Sequence, residues 1–110
     1  MQNLKIYQKM YDATQYIYRA AIQFPKSEKF TLAADIKNTT INILRLIIIA
    51  NKTRNKKSKL YEIDVELEIL RHFIRLSKDL GCLPFKKYEN ISVMLVEIGK
   101  MLGGWIKTQG

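Results

Sequence analysis

Three cations spaced along one helical face are the residues here best placed to do chemistry. Arg71, Arg75 and Lys78 follow one another at i, i+4 and i+7, a spacing that brings them to one side of a helix. Such a row suits phosphate oxygens. Its chemistry is binding: charge-assisted, indifferent to base sequence and weakened by salt. Asp64 and Glu68 fall on the N-terminal half of the same face, so charge is segregated along it, and Glu68 is placed to pair with Arg71. A second set is Lys37, Arg45 and Lys52, which share a rough face further upstream. A third lies in "NKTRNKKSK", where Lys52, Arg54, Lys56, Lys57 and Lys59 occur without an acid. Arg71, Arg75, Lys78, Lys37, Arg45, Lys52, Arg54, Lys56 and Lys57 are the candidate nucleic-acid contacts.

Catalytic material is poor by comparison. His72 is the single histidine; no second His or nearby Cys completes a metal set, and Glu68 at i−4 supplies an ordinary surface partner. Cys82 sits in a turn with only Lys86 and Lys87 as near cations, a weak setting for a reactive thiol. Glu62 and Glu66 resemble half of a di-iron pair, but no Glu-x-x-His accompanies them. No glycine loop able to cradle phosphate is present. The sequence predicts no enzyme, no metal, no cofactor and no small-molecule substrate.

The net charge of +9 and the pI near 9.7 favour a polyanionic partner, either nucleic acid or an acidic membrane surface. The alternative is a solvated basic face of no consequence. The membrane ranks last, because no helix opposes a basic face to a freely exposed apolar one. One cysteine excludes an internal disulfide and fits a reducing cytoplasm. "MQNLKIYQKMYDATQ" has no apolar signal core, and the longest apolar run, "LIIIA", is far too short to span a bilayer. A soluble cytoplasmic protein is expected.

These residues need helices to position them. With 110 residues, 47% of them apolar, one folded domain over residues 1–110 is expected. The 3.5-to-3.6 periodicity predicts four helices: Leu4 to Gln23, Phe30 to Lys52, Lys59 to Leu80 and Lys86 to Lys107. Pro25 stops the first, Ser58 is the expected N-cap of the third, and Gly81 ends it as a C′ glycine. The expected seams are Leu4, Tyr7, Tyr11, Thr14, Tyr18 and Ala21 in helix 1, and Ala33, Ile36, Ile41, Leu44, Ile47 and Ile48 in helix 2. Helix 4 contributes Tyr88, Ile91, Leu95, Ile98, Leu102 and Trp105. Short connections between helices of this length predict an all-α, up-down-up-down four-helix bundle. With most tyrosines on seams, only Tyr16 and Tyr61 remain for base stacking, so backbone charge should dominate binding.

Helix 3 has more apolar surface than one core requires. Leu60, Ile63, Leu67, Leu70 and Ile74 form one stripe; Val65, Ile69, Phe73, Leu76 and Leu80 form another, and together they span roughly 200°. The second stripe predicts an oligomer contact. Helix 4 points the same way. The pair Gly103-Gly104 costs about 2 kcal/mol relative to alanines, yet Trp105 and Ile106 continue the apolar pattern beyond it. Gly99, Gly103 and Gly104 would let a neighbouring helix approach closely, with Trp105 filling the space beside it. The expected oligomer interface is Val65, Ile69, Phe73, Leu76, Gly99, Gly103, Gly104 and Trp105.

The segments "FPKSEKFTLAADIKNTTINIL", "LRHFIRLSKDLG" and "EIGKMLGGWIK" resemble the accessory variability determinant (Avd) family of diversity-generating retroelements, over nearly the whole chain from about Phe24 to Lys107. "GGW" is the most specific element. The family is similar to the four-helix-bundle proteins encoded in ribosomal RNA intervening sequences, which share the "EIGKML" type of ending without the tryptophan. The Avd resemblance implies a homopentameric barrel of bundles with a positively charged surface. It implies binding of RNA and DNA with little sequence preference, and association with the element's reverse transcriptase in mutagenic copying of template RNA. The protein itself would not be the catalyst. Arg71 and Arg75 match the family's basic pair on helix 3, and Lys78 a commonly basic position. The alternative, an intervening-sequence-type scaffold, would make the basic charge incidental.

Overall fold

The computed structural model describes residues 3–109. Four helices follow one another: α1 (Leu4–Ile22), α2 (Leu32–Lys52), α3 (Lys57–Asp79) and α4 (Phe85–Lys107), with a short 3-10 turn at Lys26–Glu28 between the first two. No strand occurs among the described residues. Each helix packs on its chain neighbours and α1 also packs on α4, whereas the backbones of the diagonal pairs α1–α3 and α2–α4 stay more than 8 Å apart, Cα to Cα. Short connections between packed neighbours require antiparallel runs, so the helices form an up-down-up-down bundle. Its extents are 43 × 23 × 19 Å, about one helix length, since 23 residues rise about 34 Å.

Local chemistry sets the helix ends. Asn3 caps α1 by accepting a hydrogen bond from the Ile6 N–H at 3.4 Å. The expected C′ glycine of α3 is present: Gly81 has φ +79°. Its N–H donates to the Lys78 carbonyl at 3.0 Å while the Cys82 N–H donates to the Ser77 carbonyl at 2.9 Å, the paired bonds of a Schellman motif. The start of α3 corrects the expectation at Ser58. The helix begins two residues earlier than Lys59, with Lys56 at the cap and no side-chain cap bond. The Lys56 side chain folds inward, its ammonium donating to the Thr53 carbonyl, and its own carbonyl takes the Leu60 N–H at 3.0 Å. Ser58 therefore lies inside the first turn.

The expected inner seam of α3, Leu60, Ile63, Leu67, Leu70 and Ile74, is buried, as is that of α4 at Ile91, Leu95, Ile98, Leu102 and Trp105, while Tyr88 at its head is half-buried. The seam of α1 is corrected in part: Thr14 and Ala21 are buried as expected, and Tyr7 and Tyr18 are half-buried. Ile6, Met10, Ala13, Ile17 and Ala20 are buried, while Leu4 is 59% and Tyr11 42% exposed. The two stripes lie one residue, about 100°, apart. The aliphatic stripe wins because a buried tyrosine must also find a partner for its hydroxyl. In α2 the buried row is Ala33, Ile36, Thr40, Ile43, Ile47 and Ala50. Ile41 and Leu44 are half-buried and Ile48 is exposed. Thr40 enters the core because its hydroxyl donates to the Ile36 carbonyl at 2.7 Å, leaving no polar atom unpaired.

Candidate nucleic-acid interface

The α3 row is exposed at Arg71 and Arg75 and half-buried at Lys78, and carboxylates already face it. Glu68 lies 3.8 Å from Arg71 Nη1 and 3.2 Å from His72 Nε2. Asp79 lies 3.9 Å from Arg75 Nε and 3.4 Å from Lys78 Nζ. Sequence reasoning anticipated Glu68 and missed Asp79, although Arg75 and Asp79 stand at i, i+4. The Lys78 ammonium also sits 4.5 Å above the Tyr88 ring, a cation–π contact. Long, exposed ion pairs of this kind hold their partners weakly, so a phosphate can displace the carboxylates.

The connection between α2 and α3 carries a denser field. Lys52, Arg54 and Lys57 are exposed. Gln109, two residues beyond Lys107, lines one depression with Asn51, Lys52, Thr53, Arg54 and Lys56, which brings the end of α4 to this pole. The start of α1 is clamped there too. The Asn3 N–H donates to Asn51 Oδ1 at 2.7 Å, and Asn51 Nδ2 donates back to the Asn3 carbonyl at 3.3 Å. Lys5 and Lys107, both exposed, thus lie at the same end of the bundle as the loop cations, a placement that only the tertiary fold reveals. Among the described residues, Lys5, Lys52, Arg54, Lys57 and Lys107 have no carboxylate within 4.0 Å. Lys59 pairs with Glu62 at 3.5 Å. Lys56 is a correction: it is only 6% exposed and its ammonium is held by the Thr53 carbonyl, so it is chiefly a structural lysine, although it still lines the depression beside Arg54.

The α2 set does not converge. Lys37 rests 5.4 Å over the Tyr18 ring. Arg45 flanks a depression with Asn42 and Glu66, and Lys52 belongs to the basic pole. Along the axis they spread over about 22 Å.

The predicted oligomer residues divide. Val65, Ile69 and Leu76 are exposed on α3, and Phe73 is half-buried against the core. A Cβ on Gly99 would lie 3.7 Å from Leu67 Cδ2, whereas Cβ atoms on Gly103 and Gly104 would meet nothing within 4 Å. Gly99 therefore faces α3 of its own chain, and the other two face open space. Trp105 is corrected: at 7% exposure the indole fills the bundle's own core, because position 105 continues the buried row 91, 95, 98 and 102. Tyr16, expected to be free, is half-buried with its hydroxyl accepting from Asn90 Nδ2 at 2.9 Å.

Other chemistry is sparse. Burial, with a smaller contribution from the Glu28 carboxylate, pushes the Cys82 thiol above its ordinary range. Among the described residues no group of three His, Cys, Asp or Glu side chains could hold a metal ion, and no helix is long and apolar enough to cross a membrane.

A family model described as bAvd-like matches residues 4–109. The chain belongs to the bAvd-like family. The match runs from the first residue of α1 to two residues beyond α4, so this bAvd-like unit includes the basic pole, the α3 row and the exposed α3 stripe together. No curated protein matches the chain.

Proposed function

We propose that this chain is a non-catalytic, nucleic-acid-binding accessory subunit of a diversity-generating retroelement. It binds RNA and DNA through the phosphate backbone in the cytoplasm and associates with the element's reverse transcriptase. The observation that carries the reading is the gathering of carboxylate-free cations at one pole of a bAvd-like bundle. Lys52, Arg54 and Lys57 supply the first phosphate contacts there, with Lys5 and Lys107 beside them. The Arg71, Arg75 and Lys78 row extends the path along α3, where phosphate exchanges for Glu68 and Asp79. The exposed stripe of Val65, Ile69 and Leu76 supports assembly of several copies, a homopentamer on the family resemblance, which multiplies the basic field.

Binding to short labelled RNA and DNA over a salt series tests the reading, with Lys52→Ala/Arg54→Ala/Lys57→Ala and Arg71→Ala/Arg75→Ala/Lys78→Ala compared with the parent. Affinity should fall steeply with salt. Each phosphate contact removed should flatten the slope of log K against log salt by about 0.7 to 0.9. Co-elution with the reverse transcriptase should accompany binding. A parent chain that binds neither polymer at low salt overturns the proposal. That result would favour the scaffolding alternative, which the carboxylate-paired state of the α3 row supports.

A further inference from the structure

Phe85 opens α4 and is 64% exposed. The helix start does not require it: Leu83 at N′ and Tyr88 at N4 occupy the positions of a hydrophobic staple, and both pack with the core. Behind Phe85 stands an ordered series of groups. Its ring lies 6.0 Å from the Tyr88 ring at 41°, and the Lys78 ammonium lies 4.5 Å from the centre of that second ring. Arg75, Arg71 and Tyr88 then line one groove of about 230 Å³ between α3 and α4. Lys86 and Lys87 follow Phe85 directly; Lys86 pairs with Glu89 at 3.4 Å and Lys87 donates to Gln23 at 3.3 Å. Two rings, Phe85 exposed and Tyr88 half-buried, therefore lead into the three α3 cations Lys78, Arg75 and Arg71, whose carboxylate partners are Asp79 and Glu68.

From this arrangement we infer that Phe85 is a base-stacking platform for single-stranded nucleic acid. One unpaired base lies on the exposed Phe85 ring, and the adjoining phosphates reach Lys78, Arg75 and Arg71. The inference rests on the nucleic-acid reading above and adds a preference to it. Phosphate contacts alone accept duplex and single strand alike, whereas a stacking ring needs a base that is not already stacked in a helix. A protruding phenyl ring offers its face to any base, so strand preference arises without sequence preference.

The test uses the full chain and two probes of equal length carrying 2-aminopurine, a single strand and a hairpin duplex, with RNA and DNA versions of each. Phe85→Ala should weaken single-strand binding about 5- to 150-fold and abolish the quenching of 2-aminopurine. The salt slope and the duplex affinity should not change, and Phe85→Trp should restore both single-strand readouts. Because the side chain is exposed, the melting curve should match the parent's. Unchanged single-strand affinity in Phe85→Ala overturns the inference, as does an equal loss on both probes. So does Phe85-dependent binding to phosphatidylserine vesicles with nucleic-acid affinity unaltered. These three results leave the phosphate-binding reading standing. If the parent binds neither probe at low salt, both readings fall together.

Discussion

Lys56 and Arg54 are two residues apart in a run that looks uniformly basic, and the fold gives them opposite roles. Lys56 turns inward to the Thr53 carbonyl while Arg54 faces solvent. Lys56→Ala should therefore lower stability, by about 1 to 3 kcal/mol for a lost buried bond to a charged group, and leave nucleic-acid affinity within about twofold. Arg54→Ala should do the reverse, read by urea unfolding beside a binding titration. Loss of affinity in Lys56→Ala without loss of stability would refute the structural role. Cys82 gives a pH-dependent counterpart. Its thiol is pushed up by burial, so the folded chain holds that proton to higher pH than the unfolded one. This stabilising contribution is complete below the ordinary thiol range and is lost as pH rises through the raised value. Urea midpoints should decline above the ordinary thiol range in the parent and decline less in Cys82→Ala. Neither role is legible in sequence, since both depend on which side of a connection faces the bundle.

Among the elements, α3 and α4 were readable because each presents one aliphatic row at three-four spacing to the core. In α1 two rows compete one residue apart, and only the difference between a methyl and a phenol hydroxyl decides between them. In α2 the buried row passes through Thr40, which a purely apolar template skips. The second stripe of α3 was equally readable and remains exposed. Helix α4 adds Gly103 and Gly104, where a side chain would meet nothing in its own bundle. If these surfaces meet other copies, Val65→Glu/Leu76→Glu should reduce the mass measured by light scattering to that of a single chain, with helical circular dichroism intact. In Gly103→Leu the two effects separate. A helix former in open space should stabilise an isolated bundle by up to about 1 kcal/mol, yet obstruct a closely approaching helix. An unchanged mass in Gly103→Leu would remove the glycines from the interface while leaving the α3 stripe to its own test.

For the molecule as a whole, the question is whether affinity follows net charge or its placement. The chain totals +9, but its cations are not equivalent. Arg71, Arg75 and Lys78 share Glu68 and Asp79, whereas Lys5, Lys52, Arg54, Lys57 and Lys107 at the opposite pole have no carboxylate within 4.0 Å among the described residues. A polyanion approaching along the 43 Å long axis senses that difference, because the Debye length near physiological salt is about 8 Å and only the nearer pole acts at contact range. Two variants of equal charge separate the possibilities. Lys52→Glu/Arg54→Glu/Lys57→Glu and Arg19→Glu/Lys26→Glu/Lys100→Glu each change the total by six, from +9 to +3, and all six positions are exposed. The first should abolish measurable binding at about 150 mM salt, since three contacts become three repulsions. The second should keep most of the affinity and the salt slope. Equal losses in the two would mean that total charge governs binding and that the pole has no special role.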